Sequence, residues 1–372
     1  IKELFLSLKK SLMRSRYLYA LTFLGGLAFS FYKVFIKSPS LQNAYYGESL
    51  FTTFLTVGRI LAHYMHLLVF PVNLNADYTF NAFPLSSSLF EFSTFSAFLL
   101  LGIIGYVTLR LLFVNKLMAF GVIWFFVTLL PVSHIFPHHE LLAEHYLYLP
   151  SVGFCLVVAL LCNRFFERRR YVSFVAVGLI VVLVLFSVRI VDRNRDWRDR
   201  LTLYEKTVKT APQSARVHNN LCEAYANRGR VDEAIAACKQ ALSIKSPYAE
   251  AHYNLGVTLY KKGRLDEAID EYLRAISVEP TYMKALNNLG IAYIDKGEIN
   301  KAIFYLAKAL STKRAHAQIL VGMGVAFIRK GWLDKAIVQF REVLALKPNL
   351  AVAHNNLAYC YYLKEDYQQA LK

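Results

Sequence analysis

The chain has 372 residues, 56% of them hydrophobic and 19% charged, with a formal net charge of +17. Soluble globular domains carry about 45–50% apolar and about 25% charged residues, so this composition excludes a wholly soluble chain, and equally a disordered or collagen-like one. The 43 Lys and Arg are spread over both halves, so no segment reads as a nucleic-acid-binding arm and no nucleic-acid partner is expected.

Residues 17–36 are almost wholly apolar, as are 93–113, 117–137, 146–163 and 171–190. Each is close to the roughly 20 residues that cross a bilayer core, and none shows the polar face of a buried soluble helix. Five transmembrane helices are expected there. Residues 50–70 differ. Thr52, Thr56, Arg59, His63 and His66 recur at steps of three and four, which draws one polar stripe along a helix. Such a helix lies in the membrane interface or spans with its stripe against protein.

Charge favours the first choice. Lys9, Lys10, Arg14 and Arg16 precede the first apolar run, and Arg164, Arg168, Arg169 and Arg170 precede the last. Cytoplasmic loops collect Lys and Arg, and both clusters face the cytoplasm only if 50–70 does not cross. Everything after residue 190 then lies on the periplasmic or lumenal side of a bacterial inner membrane or ER membrane. Ile1 opens the chain and Lys372 falls inside a repeat, so the sequence reads as a piece of a longer protein.

From about residue 200 the period changes. Asn220-Leu221, Asn254-Leu255, Asn288-Leu289 and Asn356-Leu357 keep a 34-residue register, with Gly229, Gly263, Gly297 and Gly331 and with Ala234, Ala268, Ala302, Ala336 and Ala370. This is the tetratricopeptide (TPR) pattern of paired antiparallel helices that bury their apolar faces by stacking. The fold class expected is all-α: a polytopic transmembrane helix bundle over 1–192, a connector with a degenerate repeat helix over 193–214, and an α-solenoid over 215–372. Its repeats are 215–248, 249–282, 283–316 and 317–350, with a partial one at 351–372.

Several side chains invite a chemical reading. His134, His138, His139, Glu140, Glu144 and His145 suit a divalent metal by type, but their spacing matches no ligand motif, so no metal site is expected. Arg59, beside His63 and His66, suits a lipid phosphate. In the repeats, His218, His252 and His354 share one position and are expected to pack. Cys222 and Cys238 lie in the two helices of one repeat and are expected as small core residues, not a disulfide. Asn220, Asn254, Asn288 and Asn356 are not needed for packing. Such a series can bond the backbone of an extended peptide without reading its sequence, or it can make local structural bonds.

Three strings carry a resemblance. They are Phe70-Pro71-x-Asn73-Leu74-x-Ala76-Asp77-Tyr78, then Pro131-Val132-Ser133-His134 with Glu144-His145-Tyr146-Leu147-Tyr148-Leu149-Pro150-Ser151, then Arg195-Asp196-Trp197 leading into the repeats. Together they resemble the transmembrane-and-TPR (TMTC) O-mannosyltransferase family and its bacterial relatives. The resemblance implies a GT-C type glycosyltransferase that moves a sugar from a polyprenyl-phosphate donor to Ser or Thr of a protein held by the repeats. It implies an acidic catalytic motif upstream of this sequence. In that frame Glu144, His145 and Tyr148 are expected near the donor phosphate or the acceptor, with Arg59 and Asp77 supporting. His145 stands where Arg is common in that family, and His134 where Asn is common. No cofactor is implied beyond the lipid-linked sugar; the bilayer and an extended protein or peptide are the expected partners. The rival readings are a membrane-anchored TPR scaffold without catalysis and a lipid-linked oligosaccharide ligase.

Overall fold

A computed structural model describes residues 50–71, 74–75, 83–132, 142–167, 169–312 and 317–371. The described residues form helices and turns, and no strand is present among them. The chain divides into two compact units, 1–193 and 194–372. The apolar run 17–36 lies outside the described residues.

In the first unit α1 spans Leu50–Val69, α2 Phe92–Val114, α3 Lys116–Leu129, α4 Pro150–Phe166 and α5 Val172–Asp196. Two of the expected helix boundaries are corrected. The run 117–137 is helical only to Leu129 and then tightens into a 3-10 turn at Leu130–Val132. Pro131 is the physical reason, because it has no N–H to continue the ladder and its ring crowds the preceding turn. The run 146–163 becomes helical only at Pro150, which occupies the first turn of α4, where a missing N–H costs nothing. Glu144–Leu147 before it forms a 3-10 turn.

Helices α3 and α4 approach backbone to backbone. A Cβ on Gly153 would sit 2.3 Å from the Gly121 carbonyl oxygen, and one on Gly121 would sit 2.9 Å from the Gly153 carbonyl. Helices α2 and α5 are long and apolar enough to cross a membrane, and almost none of their apolar surface is buried against the rest of the protein. The middle of the polar stripe of α1 faces the 83–86 segment, while His66 at its end is exposed. Thr56 Oγ1 accepts the Ser86 N–H at 3.0 Å, and Arg59 donates to the Pro84 carbonyl at 3.1 Å and to Ser86 Oγ at 2.9 Å. The Arg59 guanidinium also lies over the Phe83 ring.

The second unit opens with α6, Arg200–Thr210, whose first N–H groups are capped by the Asp199 carboxylate. Helix pairs follow: α7 Ala215–Asn227 with α8 Val231–Ile244, α9 Ala249–Lys261 with α10 Leu265–Val278, α11 Met283–Asp295 with α12 Ile299–Thr312, and α13 Ala317–Lys330 with α14 Leu333–Leu346. Helices α15, Ala351–Leu363, and α16, Tyr367–Ala370, complete the described chain. Gly229, Gly263, Gly297 and Gly331 close the first helix of each pair with φ between +74° and +83°, a region open to glycine at no steric cost. In the last pair Glu365 takes that role at φ +61°.

One seam runs inside every pair. Gly256 faces Tyr272, Gly290 faces Leu306 and Gly324 faces Phe340, so closely that an added Cβ would lie 2.5–2.7 Å from the facing side chain. At the same two register positions the first pair carries Cys222 and Cys238, both fully buried. These two cysteines form a disulfide with Cα atoms 5.2 Å apart, which corrects the expectation of two separate core thiols. The bond stands where the other pairs set nothing against a bulky side chain.

Candidate functional site

In the first unit the chain around the 3-10 turn at Glu144 is tied down by polar contacts. The Asn75 N–H donates to Glu144 Oε1 at 2.5 Å, and Arg193 Nη2 lies 3.6 Å from Glu144 Oε2. Arg189 Nε donates to the Pro71 carbonyl at 3.1 Å and pairs with Asp192. The buried Tyr64 hydroxyl donates to the Ala143 carbonyl and accepts the Ala143 N–H. Asn75 and the end of α5 thus meet at the Glu144 carboxylate, and α1 holds the neighbouring Ala143 through Tyr64.

The expected site residues separate into three groups here. Glu144 accepts a backbone N–H and lies against a guanidinium, contacts that fix where its carboxylate sits. His145 and Tyr148 are exposed beside it, with the His145 ring edge-on to Tyr146 at 4.5 Å. Arg59 is committed to the 83–86 segment. Asp77, His134, His138, His139 and Glu140 lie outside the described residues, and no cluster of metal-ligating side chains is found among the described ones. Arg193, Arg189 and Asn75 escape a sequence reading, because arginines that follow an apolar helix look like topology charges until the fold brings them back to Glu144.

In the second unit the first helices of consecutive pairs pack on one another, while no comparable packing links the second helices among the described residues, so α7, α9, α11, α13 and α15 line the inner side. The asparagine series lies on this side and is half-buried. Asn254 Nδ2 donates to Oδ1 of the buried Asn219 at 2.9 Å, and Asn288 Nδ2 reaches the Tyr253 hydroxyl at 3.4 Å. Burial also pushes the Tyr253 phenol pKa up. Each link joins one repeat's asparagine to the residue before the previous repeat's asparagine. The next such link is missing, because residue 322 is Gly, and Asn287 Oδ1 is left buried without a hydrogen-bond partner. Asn356, whose counterpart would be Val321, bonds its own Val352 carbonyl instead. The histidines are similarly local. His218 and His354 bond the carbonyls of Pro212 and Pro348, and His252 pairs with Glu271 at 2.6 Å.

Gly322→Asn should therefore restore a rung. Its Cβ would lie 3.9 Å from Asn287 Oδ1 and 3.2 Å from a Leu306 methyl, which must give slightly. The expected gain is about 1 kcal/mol, from one buried hydrogen bond and a better helix former than glycine. Slower hydrogen exchange in α11 and α13 checks it; faster exchange would show that Leu306 cannot move.

A repeat family described as "TPR repeat" matches residues 223–263 and 258–297, and one described as "Tetratricopeptide repeat" matches 284–316 and 317–350. The second unit is a TPR solenoid. The chain is similar to the protein O-mannosyl-transferase TMTC1 of Homo sapiens, at 28% identity over 208 residues, which is 53% of this chain and 23% of that protein. Its similarity to Tmtc3 of Drosophila melanogaster is 30% over 201 residues, 52% of this chain and 22% of that protein. The matches thus span under a quarter of the length of these relatives, and they are the relatives that the loop strings resemble. Among solved structures, YrrB, a TPR protein with an unusual peptide-binding site, covers 45% of this chain and 87% of its own at 24% identity and a TM-score of 0.39. MamA from Desulfovibrio magneticus RS-1 covers 42% and 89% at 20% identity and a TM-score of 0.40.

Proposed function

We propose that the chain is part of a membrane-embedded protein O-mannosyltransferase that takes its sugar from a polyprenyl-phosphate donor and holds an extended acceptor protein on its TPR solenoid. The observation that carries this reading is the similarity to TMTC enzymes in a chain that joins apolar helices to TPRs. In this reading α2 and α5 cross the bilayer, and the parity of the two basic clusters keeps α1 along the interface, with Thr56 and Arg59 turned to the 83–86 segment rather than to headgroups. The solenoid then stands on the periplasmic or lumenal side.

The residues take roles that follow from their contacts. Glu144, fixed by Asn75 and Arg193, positions the turn that carries His145 and Tyr148. Those two exposed side chains offer hydrogen-bond donors to the phosphate of the donor lipid. A carboxylate base for the acceptor hydroxyl is supplied from elsewhere in the protein, since Glu144 is occupied. On the solenoid, Asn220 and the amide atoms that Asn254 and Asn288 do not spend on their neighbours offer partners to a peptide backbone.

The test uses membranes containing the whole protein, polyprenyl-phosphate mannose and an unfolded Ser/Thr-rich acceptor. Transfer of mannose to the acceptor is expected. Glu144→Ala should lower it at least tenfold while leaving the solenoid's hydrogen exchange unchanged. Acceptor binding without any donor turnover would instead establish a non-catalytic scaffold.

A further inference from the structure

We propose that the Cys222–Cys238 disulfide is a redox latch that makes the folding of the first TPR pair conditional on its surroundings. The register is the first ground. Residues 222, 256, 290 and 324 are equivalent, as are 238, 272, 306 and 340. Pairs two to four fill that seam with Tyr272, Leu306 or Phe340 pressed against a glycine. The first pair has two short side chains there, which as free thiols fill less of the seam than an aromatic ring against glycine. The covalent bond supplies what packing supplies elsewhere.

Position is the second ground. Helices α7 and α8 begin the run of full pairs, with the single helix α6 packed ahead of them where later pairs have a whole pair, so they open more readily than an internal pair. Cys222 Sγ also touches Thr258 Oγ1 of the next pair at 3.9 Å, and Asn219, three residues earlier, accepts the first inter-repeat hydrogen bond. An opened first pair would lose that rung as well. Both sulfurs are fully buried, so a reductant reaches them only through local opening.

The chemistry balances by thiol–disulfide exchange. A dithiol reductant attacks one sulfur, forms a mixed disulfide, and its second thiol closes to a cyclic disulfide. The two protein sulfurs leave as thiols carrying the reductant's hydrogens. In a reducing compartment the first pair opens more often; in an oxidising one it is held closed. This goes beyond the proposed transferase activity and is read without it.

The full chain in detergent micelles, with and without dithiothreitol, tests the latch by peptide-resolved hydrogen exchange. No second disulfide occurs among the described residues, since Cys155, Cys162 and Cys360 are free. A loop of this length constrains the unfolded segment enough that reduction should speed exchange in 215–244 roughly a hundredfold, with 317–346 unchanged. Cys222→Gly with Cys238→Leu rebuilds the Gly290–Leu306 type of seam and should stay protected whether or not reductant is present. Equal exchange in 215–244 before and after reduction would overturn the latch. So would uniform acceleration through all pairs, alkylation of both cysteines after denaturation without reductant, or a rebuilt variant that exchanges as fast as the reduced protein.

Discussion

Phe340→Ala is expected to destabilise the fourth TPR pair by about 3–5 kcal/mol, the cost of emptying a filled core site with no room for collapse. Phe340 is fully buried, meets Gly324 across the seam, and packs with Ile337 and Cys360 at the junction with the last pair. The loss should appear as faster hydrogen exchange in α13, α14 and α15, with α7 to α10 little changed, because stability in a solenoid is mostly a matter of nearest neighbours. The opposite change, Gly324→Val, should also destabilise, by about 1–3 kcal/mol, since its Cβ would lie only 2.5 Å from the nearest Phe340 ring carbon and force it to move. If either variant exchanges like the parent, the seam does not hold the pair together.

Asn254→Ala is expected to cost about 2 kcal/mol, more than an exposed asparagine would. The reason is what it leaves behind. Asn219 is fully buried and accepts its bond from Asn254. Without that donor its carbonyl oxygen sits in the interior unpaired. Asn220→Ala, whose side chain is half-buried on the same face, should cost well under 1 kcal/mol. Acceptor binding separates the two roles. If the series grips a peptide, Asn220→Ala weakens capture without changing the melting temperature, whereas Asn254→Ala changes both. Identical melting of the two variants would show that the inter-repeat bond carries no weight.

The solenoid is legible in the sequence because its determinants are local and periodic. Gly229, Gly263, Gly297 and Gly331 are demanded by backbone φ, and the alanines by helix contact, so both print themselves every 34 residues. The seam was legible too, and reading it would have revealed the disulfide: Cys222 aligns with three glycines and Cys238 with Tyr272, Leu306 and Phe340. Treated outside that alignment, the two cysteines look like ordinary small core residues. In the first unit an apolar count overran Pro131 and Pro150, because hydropathy is a side-chain property and helix continuity is a backbone one. The Glu144 cluster was not legible at all. Asn75 contributes a main-chain N–H and Arg193 lies 49 residues away, and neither fact leaves a mark on spacing.

The asparagine links make the solenoid resemble a one-dimensional crystal with a single flaw. Each link hands a donor back to the preceding period and an acceptor forward to the next, and the flaw is the period 317–350, which has Gly322 at the donor position and Val321 at the acceptor position. Cutting out that whole period would set Asn356 against the stranded Asn287 oxygen and leave a shorter lattice with every rung occupied. The longer array keeps its irregular tile, so the inner wall runs from an amide-rich stretch to an aliphatic gap at Val321 and Gly322 and back to amides at Asn355 and Asn356, and whatever is threaded along it meets these surfaces in a fixed order.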